Sequence, residues 1–147
     1  MSQIIKAVNE PILSFAAGSP ERASLQAKYD EMAAQTIEIP LIIGGKEIKT
    51  GDTGNCVMPH NHQHVLATFH KAEETEANMA IDAAMDTWKT WSKTSLEERT
   101  AIFRKAAELL QGPWRDTINA ATMLNQSKNA FQAEVDAACE LIDFFNF

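Results

Sequence analysis

The closing stretch AEVDAACELIDFFNF (residues 133–147) constrains the fold more than any other part of the sequence. It holds no Gly, Pro or basic residue that would end a helix, and it stops on Phe147. Its apolar side chains are spread over most of a helical circumference, so this helix needs neighbours on nearly every side. Chain termini are usually polar and frayed unless other elements hold them. The stretch therefore predicts a helix that docks onto a partner or belongs to a larger protein.

The first half of the chain predicts one helix and a small amount of β-structure. Ser19-Pro20 is typical of a helix start, and the helical spacing fades near Gln35. The stretch LIIGGKEIK (41–49) then predicts a β-hairpin that turns at its two glycines. A third strand is predicted over VLATFHK (65–71), where Val65, Ala67 and Phe69 would lie on one face.

The second half of the chain is helical in pattern from Glu73 onward. Apolar residues recur at helical spacing through four successive segments, and Ser95 with Glu98 forms a capping-box pattern before the second of them. The predicted fold class is α+β, with a short N-terminal β-hairpin and strand followed by about four packed helices. We divide the chain into an N-terminal helix and β segment (1–71) and a helical part (72–147).

Charge and composition exclude several classes of function. The chain has 13 basic and 20 acidic residues and a formal net charge of −7, which argues against binding to nucleic acid or to an anionic membrane surface. No run of about 18 apolar residues is present, so no membrane span is expected. The start MSQIIKAVNEPILSF lacks a secretory cleavage site, and Cys56 and Cys139 form no CxxC motif. We therefore expect a cytoplasmic protein.

The polar cluster PHNHQHV is the most conspicuous candidate for a metal site. In an extended conformation His60, His62 and His64 would share one face and could hold zinc. Pro59 and the following Asn favour a turn, which would splay the rings, so we interpret the cluster as a turn before a strand and predict no metal site. Cys56 has no neighbouring His or helix N-terminus that would activate its thiolate, and Cys139 lies in AACEL, where a Cys behaves as a small apolar residue.

Three acids of the closing stretch fall on one helical stripe. Asp136, Glu140 and Asp143 are spaced i, i+4 and i+7, and such a stripe is normally the solvated face. Glu140 differs because Phe144 and Phe145 lie close by, so its carboxylate is expected to be partly desolvated. A carboxylate in that setting is either paired structurally or placed at the edge of a site. The residues themselves contain no complete catalytic constellation, phosphate loop or nucleophile elbow.

Long stretches of the chain resemble the aldehyde dehydrogenase superfamily. AIDAAMDTWKTWSKTSLEERTAIFRKAAELL is similar to a stretch near the N-terminus of these enzymes, where an Ala-rich helix ends in Trp and a helix containing AAELL follows. Three further stretches resemble the branch of L-glutamate γ-semialdehyde (Δ1-pyrroline-5-carboxylate) dehydrogenases. These are NEPILSFAAGSPERASLQ, MPHNHQHVLATFHKA and QSKNAFQAEVDAACELIDFFNF.

The resemblance implies that this chain is the N-terminal fragment of a much longer enzyme. That family oxidises L-glutamate γ-semialdehyde, a small-molecule aldehyde, to glutamate with NAD in proline catabolism. The family's catalytic Cys, general-base Glu and main NAD-binding segments lie downstream of Phe147. The resemblance therefore implies no catalytic and no cofactor-binding residue here, and an isolated chain that is inactive and binds no NAD. It also places residues 72–147 in the helical part of a truncated NAD-binding domain.

Two residues of the closing stretch match positions of the family's substrate pocket. The resemblance assigns Glu140 to the wall of the aldehyde pocket, where it could orient the substrate ammonium group or a water network, and Phe144 to a neighbouring wall position. It also implies a homo-oligomeric parent enzyme, and we expect the fragment to self-associate through its uncovered apolar helix. The alternative is a stand-alone helical interaction module that docks a partner through its C-terminal helix.

Overall fold

The computed structural model describes residues 8–147 and has the predicted α+β composition. One helix and five strands come first, and helices follow. The last helix runs without a break from residue 130 to residue 146 and has three parts, of which the middle one is π-helical. We call those three parts together the C-terminal helix. The elements are α1 (Pro20–Ala33), β1 (Ile37–Ile39), β2 (Leu41–Ile43), β3 (Lys46–Ile48), β4 (Thr53–Met58), β5 (Asn61–His70), α2 (Glu74–Trp91), α3 (Leu96–Gln111), α4 (Arg115–Gln126), α5 (Ala130–Ala133), a π-helical turn (Glu134–Cys139) and α6 (Glu140–Asn146).

Helix starts follow the capping chemistry read from the sequence. The Ser19 hydroxyl accepts a hydrogen bond from the Arg22 amide, and Pro20 occupies the first turn of α1. At α3 the Ser95 and Glu98 side chains each bond the other's backbone amide, which confirms the predicted capping box. These local bonds fix where each helix begins.

The strands form two small sheets. β2 and β3 make the predicted antiparallel hairpin, whose turn uses positive φ at both Gly44 (57°) and Gly45 (76°). The strand predicted at 65–71 is the longer β5, which pairs in antiparallel fashion with β4 and in parallel with β1. β1 and β4 were not predicted, because β1 is only three residues long and β4 reads TGNCVM, whose glycine and asparagine disfavour strands.

Two apolar clusters hold the helices together. Phe15, Leu25 and Ala120 are buried where α1 packs on α4. Ala138 and Ile142 are fully buried where the C-terminal helix packs on α3. The C-terminal helix therefore buries one side against this chain, while Phe144 and Phe147 on other sides stay exposed (71% and 74%).

The uncovered apolar surface lies mainly on α2 and α3. The predicted apolar stripe of α2 exists, but α2 has no buried residue, and Ile81, Met85 and Trp88 are each more than half exposed. On α3, Ile102 and Phe103 are exposed as well. Within residues 8–147, no helix is both long and apolar enough to cross a membrane.

Candidate functional site

A buried ion pair lies at the start of the π-helical turn. Glu134 is fully buried, and Arg115, the first residue of α4, donates from Nη2 to its Oε1 and from Nε to its Oε2 (3.3 Å). The remaining guanidinium nitrogen donates to Glu10. A buried charge pair is stable only when its geometry is good and its other hydrogen-bonding groups are satisfied. Arg115 meets this condition by bonding carboxylates from two separate segments.

Further donors complete the shell around the Glu134 carboxylate. The Asn119 amide donates to Oε2 (2.7 Å), and the Leu13 backbone amide donates to Oε1 (2.9 Å). Among residues 8–147, the Asn119 Oδ1 is the one buried side-chain oxygen or nitrogen without a partner. The network therefore joins the N-terminal segment, α4 and the C-terminal helix at one carboxylate.

This network shifts two titrating groups in opposite directions. Burial alone would raise the pKa of Glu134, but hydrogen bonds from Arg115, the Leu13 amide and Asn119 outweigh it and hold the pKa below its usual value. Burial raises the pKa of the Cys139 thiol to about 11, and the nearby Glu134 carboxylate adds to the shift. Cys139 is therefore protonated at neutral pH, which supports the prediction that it is not a nucleophile.

The π-helical turn sets the direction in which α6 presents its side chains. A π-helical turn accommodates an extra residue relative to an α-helical turn, so it rotates the residues that follow it about the helix axis. Glu134 and Cys139, the first and last residues of this turn, both contact Arg115. Beyond it, Glu140 and Phe144 are one α-helical turn apart on the same side.

An open groove of about 560 Å³ runs between the N-terminal segment and the C-terminal helix. Its volume lies in the range of small-molecule sites. One wall of the groove carries both residues that the family resemblance selected, Glu140 and Phe144. Asn9, Glu10 and Ile12 line one wall, and Glu140, Asp143 and Phe144 line the other.

The carboxylates in this groove differ in their bonding. Glu10 binds Arg115, and Asp143 accepts the Glu10 backbone amide (2.7 Å). Asp136, which also lines the groove, pairs with Lys128 (2.8 Å). Among residues 8–147, only Glu140 of these four acids makes no hydrogen bond or ion pair. The groove thus presents, beside an aromatic side chain, one carboxylate without a bonding partner among the described residues.

The acid that is buried is not the one predicted. Glu140 is exposed, so the prediction that it is partly desolvated is wrong for this chain. Residue 140 points into the open groove, while Glu134 takes the buried position. Sequence reasoning missed Glu134, although a signal was present: Arg115 and Asn119 are one turn apart on one face of α4, and both need an acceptor when that face is buried.

The histidine cluster has the predicted turn. Pro59 and His60 form the turn between β4 and β5, and the His60 ring bonds the Ser127 hydroxyl (2.7 Å). Over residues 8–147, no group of three or more His, Cys, Asp or Glu side chains is arranged to hold a metal ion. Cys56 is half-buried in β4 and, like Cys139, is a free thiol.

Comparisons with known proteins identify the family. The model of the aldehyde dehydrogenase family matches residues 47–147. Mitochondrial delta-1-pyrroline-5-carboxylate dehydrogenase of Mus musculus is 44% identical over 143 residues, which cover 97% of this chain and 25% of that protein. The Agaricus bisporus delta-1-pyrroline-5-carboxylate dehydrogenase is 47% identical over 140 residues, covering 95% of this chain and 26% of that protein.

Solved structures agree with the sequence comparison. The Delta-pyrroline-5-carboxylate dehydrogenase from Mycobacterium tuberculosis, solved with bound NAD, has a TM-score of 0.95 and 42% identity; the match covers 99% of this chain and 27% of that one. The Thermus thermophilus 1-pyrroline-5-carboxylate dehydrogenase has a TM-score of 0.90 and 28% identity, covering 98% of this chain and 28% of that one. The chain thus spans about a quarter of the length of the relatives that it matches. With most of its length matched by the family model, the chain belongs to the aldehyde dehydrogenase family.

Proposed function

We propose that the chain is the N-terminal part of an NAD-dependent dehydrogenase that oxidises L-glutamate γ-semialdehyde to glutamate in proline catabolism. Relatives named as delta-1-pyrroline-5-carboxylate dehydrogenases support this proposal, since they match nearly the whole chain at 44–47% identity. The Mycobacterium tuberculosis structure with NAD supports NAD as the cofactor of the whole enzyme. The chain alone is proposed to be inactive, because it spans only a quarter of these relatives.

The free carboxylate of Glu140 is the observation that carries the substrate assignment. L-Glutamate γ-semialdehyde has an ammonium group at one end and an aldehyde at the other. An ammonium ion is attracted to a carboxylate that has no other partner, and within residues 8–147 Glu140 is that carboxylate in the groove. Phe144 offers an apolar surface beside it for the substrate's methylene carbons. We propose that Glu140 orients the substrate and that Phe144 forms part of its pocket.

We propose that the β5–α2 junction of this chain does not bind the pyrophosphate of NAD. The strand-to-helix junction between β5 and α2 is Lys71–Glu73, which contains no glycine that would let a pyrophosphate approach the backbone. Glu73 caps α2, and Glu74 and Glu76 lie in its first turn, so this helix start repels phosphate. We therefore propose that the remainder of the enzyme binds NAD and supplies the nucleophile.

The domain division is proposed on the same basis. The boundary at residue 72 falls in the link between β5 and α2, which supports our proposal of residues 1–71 as the N-terminal helix and β segment. Residues 72–147 are proposed to be the helical part of the NAD-binding domain. The free thiols Cys56 and Cys139 favour a reducing compartment, for which we propose the cytoplasm. The exposed apolar face of α2 and α3 supports a homo-oligomeric enzyme.

Replacement of Glu140 in the full-length enzyme tests the substrate role. We expect Glu140→Ala to lower kcat/KM for L-glutamate γ-semialdehyde about tenfold or more, because a charge-assisted contact contributes about 1.5–3 kcal/mol. Asp136→Asn is the matched control, since Asp136 lines the same groove one helical turn away but is already paired with Lys128. Its kcat/KM should change less than about twofold. Unchanged kinetics for Glu140→Ala would rule out the proposed role.

A further inference from the structure

The N-terminal segment is fastened along the groove at both ends. We call residues 9–13 the strap. The Leu13 amide donates to Glu134 at one end (2.9 Å), and the Glu10 amide donates to Asp143 at the other (2.7 Å). Between them, Arg115 donates to the Pro11 carbonyl (2.8 Å). The strap is therefore held at a fixed distance from the C-terminal helix.

This fastening leaves one aliphatic side chain free inside the groove. The Glu10 side chain is taken up by Arg115 and Gln111. Ile12 lines the groove and is 53% exposed, so much of its side chain has no packing partner among the described residues. A large aliphatic side chain held in that state on a rigid wall is available to contact a ligand.

The strap lies outside the part of the chain that the family model matches. That match begins at residue 47, whereas the Mus musculus and Agaricus bisporus relatives match 97% and 95% of the chain. The groove wall that carries Glu140 belongs to the matched part, and the facing wall does not. A wall outside the common family region is suited to distinguish one aldehyde from another and is not needed for the reaction that all these enzymes share.

We propose that the strap is a specificity wall for the substrate and that Ile12 is its specificity-determining residue. Ile12 contacts the methylene carbons of L-glutamate γ-semialdehyde while Glu140 holds its ammonium group. This inference rests on the proposed function and deepens it, because it names the residue that selects the substrate's carbon chain. Arg115 acts as a positioning residue that keeps the strap at its distance from the helix.

The test compares two aldehydes on the full-length enzyme. Ile12→Trp should fill the groove and lower kcat/KM for L-glutamate γ-semialdehyde about tenfold, while kcat/KM for propanal, which has no amino-acid end, should change less than about twofold. Ile12→Ala should lower only the value for the semialdehyde, by about threefold or more. Val8→Trp is the control, since Val8 is on the same segment, 72% exposed and outside the groove.

The outcomes distinguish a failure of the strap proposal from a failure of the proposed function. Equal losses on both aldehydes, or no loss with either Ile12 variant, would overturn the specificity role. If thermal unfolding shows that Ile12→Trp is not folded, the kinetics of Ile12→Ala alone test the specificity role. Glu140→Ala in the same assay tests the proposed function independently: a loss there with unaffected Ile12 variants would refute the strap alone. No loss in Glu140→Ala would refute the assigned role of Glu140.

Discussion

Glu134 is the most deeply buried charged residue in the part of the chain that the structure describes. It is fully buried and retains its charge because Arg115, Asn119 and the Leu13 amide all donate to it. Removing one partner of such a pair leaves an uncompensated charge and costs about 3–5 kcal/mol. Glu134 therefore ties the strap, α4 and the π-helical turn to one another.

The depressed pKa of Glu134 predicts acid destabilisation with a defined sign. Its folded-state pKa lies below 4.5, so the unfolded state binds more protons as the pH falls through that region. The stabilisation from Glu134 is fully present above pH 4.5 and is lost as the pH drops through the folded-state pKa. Urea unfolding at a series of pH values should show the wild type losing free energy of unfolding more steeply below pH 4.5 than Glu134→Gln.

A matched control isolates this effect from general acid denaturation. Glu108 also has a lowered pKa, but its pair with Lys105 is exposed. Glu108→Gln should therefore reduce the acid dependence much less than Glu134→Gln does. If both variants follow the wild-type curve, the Glu134 pair does not control stability.

At the scale of elements, the sequence predicted those helices and strands whose ends are fixed by neighbouring residues. Caps at Ser19 and Ser95 and the glycine turn of the hairpin are local signals, and they placed α1, α3 and β2–β3. The short strands β1 and β4 depend on pairing with β5, and β1 pairs across 30 positions of sequence (Ile37 with Ala67), which no local pattern reveals. The π-helical turn was also missed, since its anchor is a tertiary network.

The exposed face of α2 predicts where the chain associates. The C-terminal helix was expected to drive self-association, but its core positions are buried, and the larger apolar surface is on α2 and α3. The chain should self-associate in sedimentation velocity, and Met85→Glu with Trp88→Glu on α2 should shift it toward monomer. Phe144→Glu, at an exposed position of the C-terminal helix, should have a smaller effect. If Phe144→Glu shifts the chain toward monomer more than the α2 variant does, the C-terminal helix and not α2 forms the interface.

At the scale of the whole molecule, the site was predictable only in part. Glu140 and Phe144 came from resemblance to the dehydrogenase branch, and both line the groove. The residues themselves distinguished Glu140 only by an expected desolvation that the structure does not show. Its actual distinction is a missing partner among residues 8–147, and partners are set by tertiary packing. The same limitation hid Glu134 and the strap, whose bonds span more than 100 positions from Glu10 to Arg115 and Asp143.

The central claim is that this chain is one part of an enzyme whose chemistry lies elsewhere in the polypeptide. The most direct measurement is NADH formation from L-glutamate γ-semialdehyde and NAD, with the purified 147-residue chain and the full-length enzyme assayed side by side. We expect the full-length enzyme to form NADH and the 147-residue chain to form none. NADH formation by the short chain, or none by the full-length enzyme with this substrate, would contradict the account.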